Sequence, residues 1–144
     1  EIGSGLVGSE MCIRDSYQAT LRTCFTLENF DNLIKNGRMR PIVGTLLRSL
    51  GIHIIADATA EGTIHVADKA RGVGKTYRAI TALMKASKDC TDAEVVISHC
   101  ENLEGAMALK RQILADLPVK QVDLLSCRGL TSFYAMEKGL IVGY

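Results

Sequence analysis

The sequence predicts an α/β (α+β) fold in which a mixed sheet of about four to six strands is covered by helices. Two observations lead to this prediction. Short β-type runs and apolar residues at helical spacing alternate from residue 22 to the end of the chain. Two consecutive β-type runs are also close enough to form a hairpin, which requires antiparallel pairing in part of the sheet.

The first elements are a strand and two helices. Residues 22–26 form a short β-type run, and residues 27–34 have apolar side chains at helical spacing until Asn36 and Gly37 end the helix. Pro41 suits the first turn of a second helix, whose apolar face continues to Gly51. These residues therefore predict a strand, a helix and a further helix in succession.

The remaining elements begin with the hairpin and then alternate between helix and strand. They are predicted in this order: strands 52–56 and 63–67, helix 73–86, strand 94–98, helix 103–114, strand 121–125, a helical turn near 132–136, and strand 140–144. We find no internal repeat and no low-complexity stretch.

Composition excludes several classes of function. The chain has 144 residues with 17 basic and 16 acidic side chains, and no basic run contains interleaved aromatic residues. This balance gives no basis for nucleic-acid binding. No apolar stretch reaches the roughly 18 residues that cross a bilayer, so we expect no integral membrane association and a cytoplasmic location.

The opening segment has a sequence that is not typical of a natural domain. Residues 5–16 resemble a DNA-sequencing adapter translated in frame. Such segments are set aside before a fold is interpreted. We therefore expect residues 1–16 to be non-native and residues 17–144 to form the domain. We also expect the natural chain to continue upstream.

The cysteines and histidines suggest no metal site. Beyond the opening segment the cysteines are Cys24, Cys90, Cys100 and Cys127. None lies in a C-x-x-C pair, so they are interpreted as small core residues of a reducing compartment. Of the three histidines, only His99 is a candidate for function, because it ends a predicted strand, where ligands bind in α/β sheets.

A loop from Gly72 to Thr76 offers an enzymatic alternative. Its sequence, Gly-Val-Gly-Lys-Thr, matches the end of a phosphate-binding loop at the start of a helix. Lys69 stands where that motif requires a glycine, and the preceding strand belongs to the predicted hairpin. A small-molecule kinase or phosphotransfer domain that uses this loop is therefore the second hypothesis.

Three segments support a family resemblance: Lys35-Asn36-Gly37-Arg38-Met39, Asp68-Lys69-Ala70-Arg71-Gly72 and the terminal strand after Gly139. Together with the apolar run between the first two, they resemble the DegV family of fatty-acid-binding proteins. The resemblance covers residues 17–144 and corresponds to the C-terminal domain of that family's two-domain fold. It implies a carrier that performs no chemistry, needs no cofactor and presents a long-chain fatty acid to a partner fatty-acid kinase.

The resemblance also implies which residues matter. In the family a threonine and a serine of the N-terminal domain hold the carboxylate, and the C-terminal domain forms much of the wall around the acyl tail. The candidates for contact with the tail are Ile42, Leu46, Leu47 and Ile54. The family's His-x-Gly-Pro-Gly run is replaced here, and Tyr134 takes the position of its histidine.

Two arginines are the candidates for docking the kinase. Arg38 and Arg71 both lie where a helix meets a loop, and the planar guanidinium suits a carboxylate or phosphate. The resemblance places Arg71 at the position of an arginine implicated in engaging the kinase. A salt bridge to Asp31 or Asp68 is the alternative role for each arginine.

Overall fold

The computed structural model describes residues 4–39, 51–59 and 63–144. The predicted helix that begins near Pro41, with Ile42, Leu46 and Leu47 on it, lies outside the described residues.

The described residues contain six strands and five helices. The strands are β1 (Thr23–Leu27), β2 (Ile52–Ala58), β3 (Ile64–Arg71), β4 (Glu94–His99), β5 (Gln121–Ser126) and β6 (Leu140–Gly143). The helices are α1 (Ser4–Thr20), α2 (Asp31–Lys35), α3 (Val73–Ser87), α4 (Leu103–Asp116) and α5 (Gly129–Ala135).

The strands form one mixed sheet in the order β3-β2-β1-β6-β4-β5. Only β4 and β5 pair in parallel, through the crossover helix α4, and the other neighbours are antiparallel. The predicted hairpin is β2 and β3, with a bulge between Ile55 and Ala56. The predicted fold class is confirmed.

One face of the sheet packs against α3 and α4. Helix α3 buries Tyr77, Ile80 and Met84 at a helical spacing that keeps them on one side. They contact alternate strand residues such as Val95 and Ile97, which are fully buried. We call this packed group the first cluster, and it is the larger part of the core.

The opposite face packs against the two short helices α2 and α5. Leu33 of α2 and Ala135 of α5 join Leu27, Ile54 and Ala56 of the strands in a second cluster. The sheet is therefore apolar on both faces, as expected for a sheet covered by helices.

The predicted first helix begins too early. Leu27 was expected at its start, but Leu27 ends β1 and pairs with Ile54 of β2. The helix α2 begins at Asp31, whose backbone N–H donates to the side-chain oxygen of Asn29 at 2.9 Å. Apolar spacing alone did not separate the strand end from the helix, because buried strand and helix residues are equally apolar.

The other predicted elements that fall on described residues are present, with ends shifted by a few residues. The stop at Gly37 is also present: α2 ends at Lys35, and Gly37 has φ +68°, a conformation that glycine tolerates best. In the parts of the chain that the structure describes, no helix is long and apolar enough to cross a membrane.

Candidate functional site

The ends of several strands meet at one edge of the sheet. The pairings give β1, β3, β4 and β5 one direction and β2 and β6 the other. Leu27, Arg71 and His99 therefore end their strands at the same edge, where β2 and β6 begin. Helices α3 and α4 start there too, so this edge concentrates loops, helix N-termini and polar side chains.

A pocket of about 300 Å³ opens at this edge. It lies where β1 and β6 meet the first turns of α3 and α4, and Leu27, Val73, Ala108 and Leu140 supply apolar walls. A volume of this size is at the lower limit of small-molecule sites.

Charged side chains of both signs border this edge pocket. Glu28 and Glu104 lie near Tyr77. Burial is the main cause that raises the pKa of the Tyr77 phenol, and the negative charges of these two carboxylates raise it further. Lys138 contributes the opposite charge, with its Nζ 3.7 Å from a carboxylate oxygen of Glu28. Both partners of this ion pair are about half exposed, so its contribution to stability is small.

Thr26 adds a polar group without a partner. Its side chain is buried, it lines the pocket, and the described residues offer its hydroxyl no hydrogen-bond partner. A buried hydroxyl that makes no hydrogen bond costs about 1–3 kcal/mol.

The acyl-tail candidate Ile54 and the predicted headgroup residue Tyr134 share the opposite face of the sheet. Ile54 is fully buried in the second cluster, and Tyr134 of α5 packs against the same cluster. The Tyr134 ring meets Phe133 edge to face, with ring centres 5.1 Å apart. The structure thus brings these two candidates together.

His99 lies on the other face. It alternates in phase with Val95 and Ile97 of the first cluster, and its Nδ1 accepts a long hydrogen bond of 3.4 Å from the backbone N–H of Asn102. It is buried, and its hydrogen-bond partner Asn102 lines the edge pocket. The sheet therefore separates His99 from the other described candidates for ligand binding.

The two candidate docking arginines are both exposed. Arg38 follows α2, and its guanidinium donates to the backbone oxygen of Asn36 at 2.9 Å. Arg71 ends β3, next to α3. The ion pairs found between described residues include neither arginine, so neither the Arg38–Asp31 nor the Arg71–Asp68 pair forms there.

The loop from Gly72 to Thr76 forms the start of α3, and the Thr76 hydroxyl already makes a hydrogen bond within it. Thr76 is almost fully buried, and its Oγ1 donates to the backbone oxygen of Gly72 at 3.0 Å. The preceding strand β3 is the outermost strand on one side of the sheet and is antiparallel to its neighbour β2. Both features disfavour a phosphate loop, whose hydroxyl faces a bound magnesium ion.

The sequence did not single out Thr26, Glu28, Tyr77 or Glu104 as site residues. Thr26 and Glu28 flank the end of β1, so the strand-end rule that selected His99 would also have selected them had the strand boundary been placed at Leu27. Tyr77 and Glu104 had no comparable signal. Among the described residues, no group of three or more histidine, cysteine, aspartate and glutamate side chains is placed to hold a metal ion.

A comparison with protein families shows the family to which the chain belongs. The family described as "Uncharacterised protein, DegV family" matches residues 13–140. The chain belongs to the DegV family. A DegV domain-containing protein of Streptococcus pneumoniae is 34% identical to this DegV chain over 130 residues, which are 90% of the chain and 46% of that protein.

Solved structures resemble this DegV chain closely. The fatty acid kinase (Fak) B3 protein of Streptococcus pneumoniae, loaded with linoleic acid, is 34% identical with a TM-score of 0.80, over 90% of the chain and 46% of that protein. A DegV family protein of Eubacterium eligens, loaded with heptadecanoic acid, is 28% identical with a TM-score of 0.81 over the same shares. The chain therefore spans less than half the length of these relatives.

The turn before β6 contains two non-glycine residues in a backbone conformation typical of glycine. Met136 and Lys138 both have positive φ, 52° and 65°.

Proposed function

We propose that the protein to which this DegV chain belongs binds a long-chain fatty acid and presents its carboxylate to a partner fatty-acid kinase. The observation that carries the proposal is the similarity to the Fak B3 protein loaded with linoleic acid, at 34% identity over 90% of the chain. The presence of heptadecanoic acid in the Eubacterium eligens relative supports the same ligand class.

The second cluster is the proposed wall of the acyl site. It is apolar, it contains Ile54, and the described helices on it have only five and seven residues. Ile42, Leu46 and Leu47 are proposed to complete the wall. Burial of an acyl chain contributes about 0.8 kcal/mol per methylene. A tail of ~15 methylenes then contributes ~12 kcal/mol before the costs of ordering and association.

Tyr134 is the proposed hydrogen-bond donor toward the carboxylate end. Its phenol takes the place of the family histidine and lies on the same face of the sheet as Ile54. A phenol donates a hydrogen bond, but it does not change charge near neutral pH as histidine does. The remaining donors are proposed to come from a second domain, because a buried carboxylate without partners costs several kcal/mol.

A titration with saturated fatty acids of increasing length tests the proposal. Each added methylene should tighten binding to the 144-residue chain up to a limiting length, because apolar burial rises with each one. ATP should not compete. An affinity that does not depend on acyl length, or displacement of the lipid by ATP, would contradict the carrier function and favour the phosphotransfer hypothesis.

Tyr134→Phe tests the headgroup role in the same titration. Loss of one hydrogen bond should weaken binding by about 1 kcal/mol, and the loss should be equal for every acyl length. Ile54→Ala is the matched variant for the wall, and its loss should instead grow with acyl length. An unchanged affinity in Tyr134→Phe would place the hydroxyl outside the site.

Arg71→Glu tests the proposed docking role. Lipid binding should be retained while acyl-phosphate formation by the partner kinase is lost, because the arginine would contact the kinase and not the ligand. Arg38→Glu should act in the same direction, whereas Arg111→Glu on the exposed side of α4 is the control. If lipid affinity fell together with phosphorylation, Arg71 would belong to the lipid site.

A further inference from the structure

Two cysteines follow the only parallel pair of strands in the described sheet. The last paired residues of β4 and β5 are His99 and Ser126, and Cys100 and Cys127 come directly after them. The backbone N–H of Cys127 donates to the backbone oxygen of His99 at 2.8 Å. This bond holds Cys127 beside the end of β4. The next position in the register of the two strands therefore places Cys100 next to Cys127.

Both side chains lie on the same face of the sheet, because both pack against the second cluster. Neighbouring strands are about 4.8 Å apart, within the range of about 4.4–6.8 Å between the Cα atoms of bridged cysteines. The backbone of Cys100 is fixed on its other side: its N–H donates to Gly139 at 3.0 Å, and its oxygen accepts from Lys138 at 2.9 Å.

Cys100 and Cys127 are also free and partly exposed, whereas Cys24 and Cys90 are buried. Burial, and next the neighbouring Cys100, raises the pKa of the Cys127 thiol. A thiol with a raised pKa has less thiolate to attack an oxidant. The raised pKa makes Cys127 the poorer nucleophile, so we assign the resolving role to Cys127 and the first reaction to Cys100.

We propose that Cys100 and Cys127 form a reversible dithiol site that hydroperoxides convert to a disulfide. In the first step the Cys100 thiol loses its proton, the thiolate attacks the terminal oxygen of the hydroperoxide, and the O–O bond breaks. The alkoxide that leaves, or hydroxide from hydrogen peroxide, takes up that proton to become an alcohol or water. In the second step the Cys127 thiol loses its proton, the thiolate attacks the sulfur of the resulting sulfenic acid, and the S–O bond breaks. The hydroxide that leaves takes up that proton to become water. Both sulfurs are oxidised and the hydroperoxide is reduced.

The bridge would act on the helix that carries Tyr134. Helix α5 begins at Gly129, two residues after Cys127, and β4 is held on both sides within the sheet. A disulfide therefore ties the approach to α5 to a fixed strand end. Reduction by a thiol releases it.

Peptide mapping tests the site on the whole chain. The Cys12→Ser chain is used, because Cys12 is exposed and would link separate molecules. It is treated with hydrogen peroxide and then alkylated after unfolding. Cleavage after glutamate separates the thiols into residues 62–94, 95–101 and 105–137, which contain Cys90, Cys100 and Cys127 respectively. The expected product is a cross-link between the last two peptides that dithiothreitol reverses.

Cys90 is the internal control and should be recovered as an alkylated thiol. In Cys127→Ser, Cys100 should accumulate as a sulfenic acid that dimedone labels, because its resolving partner is gone. Recovery of Cys100 and Cys127 as free thiols after treatment with both hydrogen peroxide and diamide would overturn the proposal. A link from Cys100 to Cys90, or independent oxidation of both thiols to sulfinic acids, would overturn it as well.

Discussion

Met136 has a backbone conformation that strongly disfavours a side chain. Its φ of 52° and ψ of −176° lie close to a region that is essentially restricted to glycine. A non-glycine residue held there costs about 1–3 kcal/mol. The turn keeps this conformation because the backbone N–H groups of Met136 and Lys138 donate to Ser132 and Cys100.

Met136→Gly should therefore stabilise the protein by about 1 kcal/mol. The relief of strain exceeds the roughly 0.5–1 kcal/mol that glycine costs through the entropy of the unfolded chain. Urea unfolding at neutral pH measures the difference. Lys138→Gly is the matched variant, and its gain should be smaller because φ 65° is reached more easily by a side chain. A loss of stability in Met136→Gly would show that this backbone is not strained.

Tyr144 should make stability depend on alkaline pH. Burial raises the pKa of its phenol to about 12, although the 2.6 Å hydrogen bond with Ser87 opposes the rise. In the unfolded chain the phenol ionises near pH 10. Its stabilising contribution is therefore complete below pH 10 and is lost as the pH rises toward about 12.

Tyr144→Phe should remove that part of the pH dependence. It should also cost about 1 kcal/mol at neutral pH through the lost hydrogen bond. Burial likewise raises the pKa of Cys24 to about 12, and the Tyr144→Phe chain keeps this thiol. Unfolding by urea at a series of pH values above 8 gives the two curves. Parallel curves would contradict the assignment to Tyr144.

Helix α4 shows how one side chain can fix the start of an element. Asn102 precedes it, and its Oδ1 accepts from the backbone N–H of Gly105 at 3.1 Å while its Nδ2 donates to Lys138 at 2.9 Å. The cap therefore joins α4 to the turn before β6. A Cβ atom built on Gly105 would lie 2.5 Å from the Asn102 Oδ1 atom, so only glycine fits beneath the cap.

Gly105→Ala should destabilise the protein by up to about 1 kcal/mol, because the lost N-terminal cap costs up to about 2 kcal/mol and the helix propensity of alanine offsets about 1 kcal/mol. This sign is opposite to the usual effect, because alanine stabilises a helix interior by about 1 kcal/mol relative to glycine. Thermal unfolding followed by circular dichroism measures the change. In Asn102→Ala, where the cap is absent, the same substitution should become stabilising. A stabilising Gly105→Ala in the native sequence would contradict this account of the cap.

At the same scale, elements with a strict period were predictable from the sequence and their junctions were not. Helix α3 and strand β4 were found because their buried residues follow helical and alternating spacing. The start of α2 was misplaced because Leu27 is equally apolar in either structure. The sheet order, and with it the separation of His99 from Tyr134, depends on contacts between distant residues that spacing does not encode.

The thiol pair shows the same limit for the candidate sites. In the sequence a full helix and a strand lie between Cys100 and Cys127, and local spacing rules indicated that both are isolated core residues. Only the parallel pairing of β4 with β5 brings them together. The edge pocket has the same origin, because Thr26, Tyr77 and Glu104 come from three different elements.

At the scale of the whole molecule, residues 12–20 of α1 lie outside both core clusters. They are exposed, although the helix continues to Thr20 without a break. The chain is joined to the sheet just after it, where Arg22 and Tyr144 exchange two backbone hydrogen bonds of 2.8 and 3.0 Å. The domain expected from the sequence, residues 17–144, therefore begins a few residues before the first of these contacts.

Deletion of residues 1–16 should leave the free energy of unfolding within about 0.5 kcal/mol of that of the full chain, because surface segments away from packed contacts contribute little. Urea unfolding of both chains measures this, and the fatty-acid titration should be unchanged as well. Deletion through Arg22 is the matched control. It removes the paired bonds with Tyr144 and should destabilise the protein by more than 1 kcal/mol, at about 0.5–1.5 kcal/mol for each hydrogen bond. A large loss on removing only the first 16 residues would show that the segment packs on the domain and would contradict its interpretation as non-native.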